Sequence, residues 1–138
     1  MVERMRPEIA QLFGEGRNYP TLATTMDDGA PHAVSIWSGV ENDRIVFFTS
    51  NDRSRKARNL ARDPRVAMTV VDFTNPYRTA RIRGRVVATY DGDRAMETID
   101  RISQRYVGEP FPVRHGWVYV VEPSHEEFTE LPFRHEPA

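Results

Sequence analysis

The stretch Arg78-Thr79-Ala80-Arg81-Ile82-Arg83-Gly84-Arg85-Val86-Val87-Ala88-Thr89-Tyr90 alternates, and its period decides the fold. Ala80, Ile82, Gly84, Val86 and Ala88 fall on one face, and Arg81, Arg83 and Arg85 on the other. A period of two belongs to a strand with one side against a core. Just upstream, Asn75-Pro76-Tyr77 reads as a loop, and residues 65–72, with Val66, Met68, Val70 and Val71, read as another strand.

Further upstream, residues 19–25 predict a strand, Asp27-Asp28-Gly29 a tight hairpin turn, and residues 31–40 the return strand. Glu41-Asn42-Asp43 turns the chain into a third strand over residues 44–50. Residues 53–62 predict a helix, closed at Asp63-Pro64 because the residue before proline is pushed out of helical geometry. A shorter helix is predicted over residues 8–13, with Ile9, Leu12 and Phe13 at helical spacing and Gly14 and Gly16 ending it.

Downstream, Ala95, Met96, Ile99, Ile102, Ser103 and Tyr106 share one stripe, so residues 93–106 predict an amphipathic helix. A proline-bearing loop spans residues 108–114, a strand follows over residues 116–122, and it resumes at residues 127–130; the tail from Leu131 reads as loose. Six strands with short turns, interrupted by helices, favour an antiparallel barrel over a βαβ sheet. The expected fold class is mainly β with flanking helices, one barrel domain over residues 1–138 that dimerises.

The bulk numbers agree. The chain has 138 residues, 39% hydrophobic and 28% charged, enough for one modest core. A net charge of −1 speaks against bulk electrostatic binding of nucleic acid. With no cysteine, thiolate chemistry, disulfides and cysteine-based metal sites are excluded. Met1 to Pro7 is too polar for a secretory leader, and no apolar run approaches the ~20 residues that span a bilayer, so a cytoplasmic protein without membrane partners is expected. His32, His115, His125 and His135 show no metal-ligand spacing, and no metal is expected.

Chemistry is expected where the strand ending in Thr49 and Ser50 empties into Ser54-Arg55-Lys56-Ala57-Arg58-Asn59-Leu60. A helix start offers free N–H groups and the positive end of its dipole, and here it adds Arg55 and Lys56, the chain's one lysine. That combination suits a phosphate. Thr49 and Ser50 add hydroxyls, and Asn59 shares the helical face of Arg55. The competing reading is an ordinary helix start capped by Ser54 with solvated cations, and Asn59 bonding to structure nearby. Arg81, Arg83 and Arg85 read as a solvated or subunit-facing surface before a basic groove. No nucleophile or acid–base pair stands out, which fits a fold that lends a cofactor its site.

Several runs together carry a family likeness: Thr21-Leu22-Ala23-Thr24, Asp28-Gly29-Ala30-Pro31-His32, Ser54 to Leu60 with Arg62-Asp63-Pro64-Arg65-Val66, Asn75-Pro76-Tyr77-Arg78, and Ile82-Arg83-Gly84-Arg85-Val86. Ile99-Asp100 and Arg105-Tyr106-Val107-Gly108 continue it. In these the chain resembles the FMN-binding split β-barrels related to pyridoxamine 5′-phosphate oxidase, and more closely the flavin/deazaflavin oxidoreductase B group, whose small members use coenzyme F420.

The resemblance implies a six-stranded split barrel, a homodimer with cofactor sites at the interface, and hydride transfer from reduced coenzyme F420 to an activated unsaturated small molecule. It implies phosphate binding at Ser54, Arg55 and Lys56 with Asn59 nearby, and Thr49 and Ser50 beside the linker and ring. Val34, Ser35, Ile36 and Trp37 would lie along the tricyclic ring, with Tyr77 and Arg78 reaching the same or the partner's site. Tyr77 and His32 are the candidate proton donors; no catalytic residue is assigned. Glu127-Phe128-Thr129-Glu130 replaces the tryptophan strand and Arg/His clamp of the oxidases, so vitamin B6 oxidation is not carried over. The alternatives are an FMN-dependent oxidoreductase on the same fold, or a non-enzymatic protein that holds F420, FMN or haem without turnover.

Overall fold

The computed structural model describes residues 4–138, and the reading of the N-terminus as too polar for a leader falls partly on residues 1–3, outside the described residues. Its elements are α1 (Pro7–Gly14), β1 (Thr21–Thr25), β2 (Pro31–Ser35), β3 (Gly39–Glu41), β4 (Arg44–Thr49), α2 (Arg55–Arg62), β5 (Arg65–Asp72), β6 (Asn75–Tyr90), α3 (Gly92–Val107) and β7 (Trp117–Glu130). The strands form one antiparallel sheet in the order β2-β1-β5-β6-β7-β4-β3.

The architecture is the expected one, mainly β with flanking helices, but the return strand is corrected. Residues 31–40 divide, because Pro31–Ser35 pairs with β1 whereas Gly39–Glu41 pairs with β4. The two edge strands of the sheet are therefore consecutive in the chain, and Ile36-Trp37-Ser38 closes the ring between them. Counted as one bent strand they restore six; counted by pairing, the described residues hold seven.

Three further boundaries change. Asn75-Pro76-Tyr77 belongs to β6, since Asp72 Oδ1 accepts from the Thr74 N–H at 2.9 Å and tightens the turn to Phe73-Thr74. β7 runs unbroken through Pro123 and Ser124 because a register shift absorbs one residue there: Arg83 faces His125, and Gly84 faces Pro123. A second shift at Val87 ends the alternation of β6, leaving Ala88 exposed. Past Glu130 there is neither helix nor strand, although the Leu131 N–H bonds the Tyr77 carbonyl at 3.0 Å.

Two apolar clusters hold this frame. Inside the barrel, α1 inserts Ile9, Leu12 and Phe13 among Leu22, Ile45, Phe47, Met68, Ile82 and Val121. Outside it, α3 lays Ala95, Ile99, Ile102 and Tyr106 over Val46 and Val118. Strand β4 is thus covered on both faces, which explains its uninterrupted run Ile45-Val46-Phe47-Phe48. Each large side chain so buried contributes about 1.5–3 kcal/mol. The turn after β3 places Asn42 (φ 51°) and Asp43 (φ 60°) in left-handed geometry, the two-residue hairpin whose twist matches its strands.

Candidate functional site

Strand β4 ends at Thr49, and the chain reaches α2 through a loop held by its own hydroxyls. Thr49 Oγ1 donates to the Asn51 carbonyl at 2.9 Å and lies 3.4 Å from Ser54 Oγ. Ser54 caps α2 by accepting from the Ala57 N–H at 3.3 Å. Both hydroxyls, expected at the ligand, are therefore spent shaping the loop.

The same loop opens onto a cleft of about 260 Å³ lined by Ser35, Ile36, Trp37, Phe48, Thr49, Ser50, Lys56 and Phe111. The barrel closure thus meets the helix start. Six of the residues singled out in the sequence come together here: Ser35, Ile36 and Trp37 from one side, and Thr49, Ser50 and Lys56 from the other. Lys56 makes no ion pair among the described residues, and burial pushes its ammonium below the ordinary lysine value. A half-buried cation without a counter-ion is receptive to an anion.

Aromatic rings form the rest of the wall. Trp37 stacks on Tyr106 with centroids 5.1 Å apart and planes 5° from parallel. Phe111 meets Phe48 edge-on at 5.1 Å and Trp37 at 6.1 Å. An apolar aromatic wall beside a cation suits a ring system carrying a phosphate. Phe48 and Phe111 were missed in the sequence: Phe48 was legible as the outward neighbour of buried Phe47, whereas Phe111 sits in a loop without periodicity.

Other expected positions lie elsewhere. Asn59 is wholly buried and donates to Thr24 Oγ1 at 3.0 Å, tying α2 to β1 rather than facing the cleft, because Leu60 and Ala57 turn that side of the helix onto the barrel. Val34 packs from the inward side of β2 on the barrel core. Arg55 opens α2 beside Lys56, half-exposed and without an ion pair among the described residues, but does not line the cleft.

Arg78 is held by Asp72 and Glu130, each at 3.2 Å, and lies over the Phe128 ring. Tyr77 packs on Phe133 at 5.3 Å. Neither reaches the cleft within this chain, since the first residues of β6 serve the β5–β6 turn and the end of β7. His32 likewise does not line the cleft, and its Nδ1 is buried without a partner. The two candidate proton donors are thus absent from the cleft wall.

The model of the family described as pyridoxamine 5′-phosphate oxidase matches residues 5–129. The chain belongs to this family. Among curated members, the pyridoxine/pyridoxamine 5′-phosphate oxidase of Burkholderia lata is 42% identical over 73 residues, which cover 52% of this chain and 33% of that protein. The enzyme of the same name from Cupriavidus necator is 36% identical over 77 residues, 55% of this chain and 35% of that protein. The matches span about a third of those relatives' length.

Among solved structures, one named F420 reductase superposes with a TM-score of 0.76 at 28% identity, covering 89% of this chain and 98% of that one. A conserved hypothetical protein of Mycobacterium tuberculosis superposes at 0.77 with 23% identity, covering 99% and 94%, and shows the shared fold. Family membership thus makes this chain kin to oxidoreductases that use flavin-type cofactors.

Proposed function

We propose that this chain is an oxidoreductase that binds coenzyme F420 in the Trp37–Lys56 cleft and reduces an activated unsaturated small molecule. The observation that carries this is the position of Lys56, half-buried, without a counter-ion among the described residues, and facing three aromatic rings across one cleft. The full-length likeness to a solved F420 reductase supports the deazaflavin over FMN, whereas the curated oxidases match over about a third of their length.

The residues present fit a phosphorylated ring cofactor: a cation at a helix start without an ion pair among the described residues, the hydroxyls of Ser35 and Ser50, and a wall of aromatic side chains. When bound in reduced form, the cofactor supplies a hydride. Lys56 would hold the phosphate, with Arg55 beside it adding charge. Ser35 and Ser50 would donate to ring or linker oxygens. Trp37, Phe48 and Phe111 would exclude water and hold the ring flat, so that reactants meet in a fixed geometry. Among the described residues, no carboxylate, histidine or tyrosine of this chain lines the cleft, which leaves the proton that completes the reduction to solvent or to a group of the second copy.

A homodimer is part of the proposal. The outer face of β1, β5 and β6 presents Thr21, Ala23, Ala67 and Thr69 as a shallow trough bordered by Arg81 and Arg83, a surface that a second copy can approach closely.

The test is a paired titration of the stripped protein with coenzyme F420 and with FMN, followed by mixing reduced F420 with a panel of enones and quinones. Tighter binding of F420 and its reoxidation by a panel member are expected. Failure to bind F420 refutes the assignment; exclusive FMN binding transfers it to the FMN-dependent reading that the curated relatives favour.

A further inference from the structure

Phe111 reaches the cleft from the irregular segment, residues 108–116, between α3 and β7. A single carboxylate fixes the middle of that segment. Asp100, on α3, accepts the Phe111 N–H at 3.1 Å and takes both guanidinium nitrogens of Arg114, at 2.8 and 2.9 Å. Arg114 in turn donates to the Phe111 carbonyl at 2.8 Å. Both backbone polar groups of Phe111 are therefore bound by one ion pair, and its ring is held against Trp37 and Phe48. The segment's ends are fixed independently: Gly108 is a left-handed helix cap, and Gly116 packs so closely that an added Cβ would lie 2.6 Å from Ile99 and 3.1 Å from the Thr49 carbonyl. Between those ends, Ser103 holds the Glu109 carbonyl at 2.7 Å, but the position of Phe111 itself depends on Asp100.

We propose that Asp100 is a positioning residue that seats Phe111 as the third wall of the cleft, and that this wall restricts the cleft to flat ring systems. The selectivity half rests on the cofactor reading given above; the positioning half stands on this chain alone. Loss of the Asp100 carboxylate leaves Ile99, Ile102 and Tyr106 to keep α3 packed, while Phe111 and Arg114 lose their common anchor. Trp37 then loses one of the rings that cover it.

The experiment uses Asp100→Ala, Phe111→Ala and the double variant in a Trp117→Phe background, with Trp117→Tyr as a second background, so that Trp37 is the sole tryptophan. Acrylamide quenching of Trp37 should rise roughly twofold in both single variants and no further in the double variant, the non-additivity expected of two residues acting through one another. Helical circular dichroism should stay constant. Quenching that rises for Phe111→Ala but not for Asp100→Ala overturns the positioning role.

Titration with F420, FMN and inorganic phosphate adds the selectivity arm: affinity for the two ring cofactors should fall about tenfold in each single variant, again without further loss in the double, while phosphate affinity stays at the wild-type value. Undiminished affinity beside raised quenching overturns the selectivity role. If neither cofactor binds the wild type, the functional proposal fails while the quenching result still decides the placement of Phe111.

Discussion

The Trp37 ring lies parallel on the Tyr106 ring, 5.1 Å away, and the Tyr106 hydroxyl reaches past it to the backbone of Ser38 in the barrel closure and of Asn18 ahead of β1. That hydroxyl donates to the Asn18 carbonyl and accepts from the Ser38 N–H at 3.3 Å. One side chain of α3 thus fixes the segment that joins β2 to β3 and presents Trp37 to the cleft. Tyr106→Phe should keep the stacking and lose both bonds. Two buried backbone groups would be left without partners, so a cost of about 1–3 kcal/mol is expected in urea unfolding. The near-ultraviolet circular dichroism of Trp37 should also change. An unaltered midpoint would show that the closure is held elsewhere.

Asn59 gives a second prediction, separating structure from ligand binding. Its side-chain amide is buried and bonds Thr24 Oγ1 at 3.0 Å. Asn59→Ala should destabilise the fold by about 1–3 kcal/mol, because the Thr24 hydroxyl loses its partner in a buried place. Cofactor affinity of the folded protein should stay at the wild-type value. A weakened affinity with unchanged stability would return Asn59 to the ligand.

These two residues also mark where the sequence could be read and where it could not. The helix start at Ser54 was legible because capping, charge and the Asp63-Pro64 stop are local. The β1–β2 hairpin was legible for the same reason, with Gly29 at φ +87°. Division of residues 31–40 was not, since nothing in Ile36-Trp37-Ser38 says that the strand changes partner from β1 to β4. Nor was the continuity of β7, because Pro123 is a strand breaker unless a facing register shift accommodates it. In the cleft, Lys56 announced itself by charge, whereas Phe111 owes its place to Asp100 on another element.

That register shift yields a third prediction. Gly84 sits opposite Pro123, and a Cβ at residue 84 would lie 2.3 Å from the Glu122 carbonyl oxygen and 3.0 Å from the Pro123 Cα. Both neighbours are backbone and cannot rotate away. Gly84→Ala should therefore separate β6 from β7 locally and cost about 1–3 kcal/mol or more in thermal or urea unfolding. A neutral result would mean that the two strands are not in this register.

A fourth prediction concerns charge. Lys56→Ala should weaken binding of the phosphorylated cofactor by about 1–3 kcal/mol through loss of a charge-assisted bond. Because Lys56 has no counter-ion among the described residues, removing it should leave the urea midpoint of the ligand-free protein unchanged or raised. Equal affinity in the variant would place the phosphate away from α2.

The fifth prediction follows from the sign of the Lys56 shift. Burial lowers its pKa in the folded chain below 10.5, its value when freely solvated. Between the lowered value and 10.5, the unfolded chain binds more protons than the folded one at this position, so stability of the ligand-free protein should rise with pH there. Binding of a phosphate works in the opposite sense: the anion favours the ammonium, so affinity should fall as pH rises through the same window, and binding should take up protons. Urea midpoints and cofactor titrations across that range, wild type against Lys56→Met, isolate the contribution from other alkaline groups such as Tyr90 and Tyr119, whose hydroxyls are shifted upward first by burial. Wild-type stability that rises with pH relative to the variant, beside an affinity advantage over the variant that shrinks, is the expected pattern. Parallel pH profiles for wild type and variant would mean that Lys56 stays fully charged and solvated, and that the cleft holds its anion by other means.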